Sequence, residues 1–109
     1  MKDRIEINKE LVPYTFNILL ADQWYELYIN YNETGDFFTV TLYKDEELVC
    51  TEPVVYGIPL FKDLRQPQDF PAVEIVPLDE SGQNAEVTFS NFNELVFLTV
   101  DDEEEEENG

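Results

Sequence analysis

The 109-residue chain is long enough for one domain and no more, and its 43 % hydrophobic content suffices for a packed core. Its 25 acidic residues against 6 basic ones give a net charge of −19, which disfavours nucleic acid and anionic membranes as partners because both repel such a surface. Histidine is absent, and with it the commonest general base and the commonest metal-binding imidazole.

In chain order, Met1 to Arg4 leads into no apolar run of the kind a secretory signal needs. No apolar stretch approaches the length of a membrane span, so a soluble protein made in a cytoplasm is expected. Strand patterns dominate from Tyr14 onward. Tyr14 to Leu20 puts Phe16, Ile18 and Leu20 on one face and Asn17 on the other. After a short turn over Ala21 to Gln23, Trp24 to Tyr31 alternates again. Tyr25, Leu27, Ile29 and Tyr31 share one side, and Trp24, Glu26, Tyr28 and Asn30 share the other. So short a link between two strands makes a hairpin.

Asn32 to Asp36 is a turn cluster in which Gly35 is expected to take a positive φ. Phe37 to Tyr43 follows, with Phe38, Val40 and Leu42 on one face and Thr39 and Thr41 on the other. Lys44 to Glu47 turns the chain into a fourth strand from Leu48, interrupted or ended at Pro53. Cys50 in that strand is alone in the chain, so it has no disulfide partner within it; its apolar setting suggests a buried, inert thiol. These four strands read as an antiparallel meander.

The second half is less regular. Val54 to Phe61 is apolar but broken by Gly57 and Pro59, and reads as a bent strand or a buried crossing loop. Lys62 to Pro71 is a loop, since Pro67 and Pro71 exclude a helix. Ala72 to Leu78 is a strand, Asp79 to Asn84 a polar turn around Gly82, and Glu86 to Ser90 a short strand or turn. A last strand, Leu95 to Val100, is apolar on both faces and therefore central in a sheet or covered on both sides. The expected fold is all-β: a small antiparallel sandwich or partly open barrel with an N-terminal four-stranded meander, forming a single domain over residues 1–100. An acidic C-terminal tail, 101–109, follows. That run holds seven acids; without it 18 acids face 6 bases, so the body alone carries −12.

Catalysis finds little to work with. Cys50 has no histidine with which to form a nucleophilic pair, and four scattered glycines make no phosphate loop. Two neighbouring carboxylates would arise by chance among 25 acids and mean nothing. The chain is read as no enzyme, with no cofactor and no metal. The unbroken acidic tail lacks the spacing and glycine of a calcium loop, and reads as a solvated, self-repelling end. Trp24, Tyr28 and Tyr43 lie on, or at the ends of, the more polar strand faces. Core or cross-strand packing ranks first for them, a subunit interface second and sugar stacking last.

The order of these elements resembles the baseplate plug family of phage tails and tail-like particles, over about residues 5–100. The likeness rests on Ile5 to Asn8, Val12-Pro13, the Phe16, Ile18, Leu20 row and Trp24 to Asn32. It continues through the glycine turn, the Phe38, Val40, Leu42 row, Leu48, Pro53 to Leu60 and the closing strand to Val100. The family more often shows a glycine where this chain has Lys44 to Glu47, and the acidic tail lies outside the pattern. The resemblance implies a structural subunit of a phage or prophage tail baseplate, made in the bacterial host cytoplasm and located in the virion tail. Its implied partners are tail tube, hub or wedge proteins, in a symmetric oligomer and without nucleic acid or membrane. The competing expectations are a carbohydrate-binding module for host-surface recognition and an acidic DNA mimic, the latter needing carboxylates arrayed on one face.

Overall fold

The computed structural model describes residues 3–20, 23–61 and 73–102. The loop expected over 62–71 and residues 103–109 of the acidic run lie outside them. The strands are β1 (Asp3–Ile5), β2 (Tyr14–Leu20), β3 (Gln23–Asn32), β4 (Phe37–Lys44), β5 (Glu47–Pro53), β6 (Val73–Leu78) and β7 (Phe97–Asp102). They form a four-stranded antiparallel sheet, β2-β3-β4-β5, and a three-stranded one, β1-β7-β6. The fold is all-β, the meander is as expected, and the two sheets pack as a small sandwich without closing into a barrel.

Period-two alternation builds the larger sheet. Tyr25, Leu27 and Ile29 of β3 and Phe38, Val40 and Leu42 of β4 point inward and are buried. Ile5, Ile75 and Leu98 meet them from the smaller sheet, and Val54, Leu60, Phe61, Phe92 and Val96 fill in from the connections. Each such side chain, once fully buried, contributes roughly 1.5–3 kcal/mol. Three strands do not fully cover four: Tyr14, Phe16 and Ile18, the inner row of β2, are only half-buried. β7 lies between β1 and β6, as its two apolar faces require.

The segment expected as a bent strand or crossing loop is a crossing loop. The Val54 N–H donates to the carbonyl of Phe38 in β4, while Gly57 and Leu60 donate to Pro77 and Ile75 in β6. The loop thus ties the two sheets along one side. Residues 86–90 form a turn and no strand. The last strand begins two residues later than expected and runs two residues further. Leu95 and Val96 donate to the carbonyl of Asn91, and Asn93, at φ 61°, donates to Val96. This tight turn leaves Leu95 exposed. At the far end Val73 and Glu74 pair with Asp102 and Asp101, which carries the ladder into the acids. β1 is not foreseen in the sequence, because three residues are too few to show alternation.

The glycine turn differs in mechanism from expectation. The positive φ, 54°, falls on Asp36 and not on Gly35. Gly35 is there for space: a Cβ on it would stand 2.7 Å from the Phe37 ring. Its N–H donates to Asn32 Oδ1 at 2.9 Å. The β4–β5 link is a two-residue turn in which Asp45 and Glu46 have φ of 53° and 69°. Both signs fit a type I′ turn, which matches the strand twist but favours Asn-Gly at these positions.

Glu46→Gly should therefore raise stability by about 0.5–1 kcal/mol in urea unfolding, the relief of left-handed strain exceeding the added chain entropy. An unchanged or lowered midpoint would count against a strained turn.

Candidate functional site

Trp24, Tyr28 and Tyr43 all face outward on the larger sheet. Trp24 and Tyr28 stand on β3 at either side of Glu26, and Glu26 is directly opposite Tyr43 on β4. Tyr43 is therefore one diagonal step from each of the other two, about 7–8 Å between backbones. Trp24 is 59 % exposed, and its cross-strand partner Leu19 on β2 is 50 % exposed. Tyr28 lies half-buried between Thr15 and Thr41.

A β-bulge extends this band to the far edge. The register slips between Leu42 and Tyr43, so that Leu42 pairs with Cys50 but Tyr43 pairs with Leu48. The extra residue, Val49, packs against the core, and Leu48 turns outward to 61 % exposure. The result is an apolar and aromatic band, Leu19, Trp24, Tyr43 and Leu48, crossing all four strands. Alternation along Tyr14 to Leu20 already puts Leu19 on this side. The bulge that adds Leu48 has no mark in the sequence. Further from the turn, Thr41 and Thr51 share a hydroxyl hydrogen bond of 2.8 Å on the same face. The carboxylates of Asp45, Glu46 and Glu47 stand exposed at the rim.

Two shallow clefts, of about 420 and 490 Å³, share Lys9 and Glu10. Lys9 is committed there. Its Nζ donates to the carbonyls of Phe89 (2.6 Å) and Ser90 (3.3 Å) and pairs with Glu94 at 3.4 Å. It staples the segment before β2 to the loop before β7. Asn93 Oδ1 accepts from the N–H of Ile7 at the same seam. Among the described residues no group of three or more His, Cys, Asp or Glu is placed to hold a metal ion. Cys50 is half-buried rather than buried, and burial followed by the charge of Glu52 pushes its thiol up to about 11. It is a poor nucleophile at neutral pH.

Two aspartates serve as hydrogen-bond acceptors that sequence reasoning missed. Asp36 Oδ1 accepts the Tyr31 hydroxyl at 2.7 Å and the Phe89 N–H at 3.0 Å, tying the β3–β4 turn to the loop before β7. These bonds lower the Asp36 carboxyl and, with the hydrogen bond to Asp36 foremost, raise the Tyr31 phenol to about 12. Asp79, at the end of β6, is buried. It accepts from the backbone N–H of Ser81, Gln83 and Asn84, from Ser81 Oγ at 2.6 Å and from Asn84 Nδ2 at 2.8 Å. Ser81 and Asn84 hold its carboxyl well below the usual carboxylate range, while burial pulls the other way. The signal was present: aspartate followed by Ser and Gly is an Asx-turn sequence, and Gly82 takes the left-handed φ of 77°.

Compared with known proteins, residues 3–104 match the family whose model is described as cyanophage baseplate Pam3 plug gp18. No curated protein and no solved structure matches the chain.

Asp79 generates a pH signature. Its depressed pKa means that its contribution to stability is complete above the ordinary carboxylate range, about pH 4, and is lost as pH falls through the lower folded value. Asp79→Ala should unfold at a clearly lower urea midpoint at about pH 7, with the gap to wild type narrowing below about pH 3. A gap independent of pH would show that the ionised carboxylate is not what organises the turn.

Proposed function

The chain belongs to the cyanophage baseplate plug family, and from that premise we propose that it is a non-enzymatic structural subunit of a phage or prophage tail baseplate. It is made in the host cytoplasm and assembles with tail tube, hub or wedge proteins as part of a symmetric oligomer in the virion tail. The observation that carries this reading is the family match over residues 3–104, which spans both sheets. We assign Trp24, Tyr28 and Tyr43 to the contact with a neighbouring subunit, with Leu19 and Leu48 continuing the band. Exposed aromatic side chains of this kind supply large contact area at low entropic cost.

The electrostatics support the same reading. With a net charge of −19 free subunits repel one another, and a complementary basic surface in the assembling tail draws them in. Glu26 stands within the band, opposite Tyr43, but most acids of the meander keep to its turns. Glu33 and Asp36 sit in the β3–β4 turn, and Asp45, Glu46 and Glu47 in the β4–β5 turn, at opposite ends of the meander. Such a distribution is unlike the single carboxylate-lined face that a DNA mimic needs.

The test is complementation. Tail particles purified from cells should contain the wild-type chain in fixed stoichiometry. Trp24→Ala should leave the unfolding midpoint within about 2 °C of wild type, since the side chain is solvent-exposed. Its incorporation into particles should fall at least about tenfold. Tails that form, sediment normally and lack the wild-type chain would refute the baseplate role; full incorporation of Trp24→Ala would move the contact to another surface.

A further inference from the structure

A strand at the edge of a sheet presents unpaired N–H and C=O groups, and proteins guard such edges with charge, proline, bulges or short length. Three of the four edges in this fold are guarded. β5 carries Glu47 and Glu52, ends at Pro53 and holds the bulge. β1 is three residues long and includes Arg4. β6 carries Glu74 and Pro77. The fourth edge, β2, has none of these devices. Its seven residues, Tyr14 to Leu20, pair with β3 without a register shift and include no proline. Alone among the seven described strands it has no charged residue, in a chain that is 28 % charged.

Two further observations point to an occupant. The inner row of β2, Tyr14, Phe16 and Ile18, is half-buried, whereas the inner residues Ile29, Phe38, Val40 and Leu42 of the next two strands are fully buried. The direction of the free backbone groups also follows from the register. Leu20 pairs with Gln23 across a two-residue link, so that pair exchanges hydrogen bonds. By alternation Ile18, Phe16 and Tyr14 also bond to β3, and the N–H and C=O groups of Thr15, Asn17 and Leu19 point away from the sheet. Among the described residues no strand takes them up.

We propose that β2 pairs antiparallel with β2 of a second copy of this chain, about a two-fold axis at Asn17, joining two four-stranded sheets into one. The register is self-complementary. Thr15 meets Leu19 of the second copy, Asn17 meets its own counterpart, and all three outward-facing residues of each strand are bonded. Phe16 falls opposite Ile18 of the second copy on the inner face, which covers the half-exposed row. The contact is free of charge. Among the described residues the acid nearest Asn17 is Glu26, its cross-strand neighbour on β3. The two copies of Glu26 stand three strand spacings apart, about 14 Å, beyond the Debye length of about 8 Å at physiological salt. The pairing deepens the reading of this chain as a symmetric assembly subunit, and its biological use rests on that reading.

Sedimentation velocity on the full chain tests it. The 12.8 kDa monomer should give way to dimer with rising concentration, and more completely in about 0.5 M than in about 0.02 M NaCl, because salt screens the net charge. Asn17→Lys, an exposed position, should keep the wild-type circular dichroism and weaken dimerisation at least about tenfold by setting like charges face to face. In a Cys50→Ser background, oxidised Asn17→Cys should form a covalent dimer, since opposed residues lie about 5.5 Å apart, within disulfide reach. Glu47→Cys, at the opposite edge, should not. A chain that stays monomeric in high salt, an Asn17→Lys variant that dimerises as wild type does, or equal cross-linking at both edges overturns the pairing. Normal incorporation of Asn17→Lys into tails would overturn its use in assembly while leaving the baseplate reading intact. Absence of the wild-type chain from tails removes the baseplate reading alone.

Discussion

The ring of Phe38 is the contact on which the sandwich depends. It is fully buried and lies 4.6 Å from Phe92, 4.8 Å from Tyr31 and 6.0 Å from Phe89. Tyr31 and Phe38 belong to neighbouring strands of the larger sheet, while Phe89 and Phe92 belong to the loop that delivers β7 to the smaller one. One aromatic cluster therefore fixes how the sheets face each other. The Tyr31–Asp36–Phe89 hydrogen bonds close its solvent side, and the Val54 N–H on the carbonyl of Phe38 fixes the strand beneath it. Tilted rings at such separations add about 0.5–1.5 kcal/mol each beyond the area they bury.

The meander was legible because its strands are long enough to alternate. Ten residues of β3 carry a pattern that only one register satisfies, since a slip by one would turn Leu27 and Ile29 out to water. Where the structure departs from the sequence pattern, the cause is a contact that strand alternation does not register. The turn at 91–96 displaces the start of β7 because Asn91 anchors it, with Oδ1 accepting from the Thr88 N–H and Nδ2 donating to the Glu86 carbonyl. The bulge opposite Tyr43 and the three-residue β1 are settled by partners across the sheet. Trp24, Tyr28 and Tyr43 could be placed on one side from alternation alone. That Leu48 joins them depends on a register slip that no local pattern encodes.

The large negative charge is compatible with this fold because some carboxylates are structural acceptors. Asp79 gathers the donors of its turn, Asp36 bridges two loops, and the Glu52 carboxylate accepts the N–H of Phe61 at 2.7 Å. Phe61 is buried with φ at 62°, a conformation rare for an aromatic residue. That bond and the burial of the ring hold it. Two of the described cations are likewise committed. Arg4 lies 3.9 Å above the Phe97 ring and 3.5 Å from Glu80, and Lys9 holds its seam. Other carboxylates gather in the turns at the ends of the strands, and on the outer face of the larger sheet Glu26 stands among the aromatic side chains.

The pairing of β1 with β7, which brings Asp3 opposite Val100, sets an order on how the protein is made. Each link of the larger sheet joins consecutive strands, so its contacts are local and can form as soon as β5 has left the ribosome. The smaller sheet has no such freedom. Its central strand is the last of the described strands, and β1 must wait for all the others to be made before its neighbour appears. Until then the inner face of the meander lacks its cover, and the nascent chain is open to wrong partners over that interval. The seam that Lys9 closes likewise waits for the loop before β7, and the sandwich is complete only once β7 has been made.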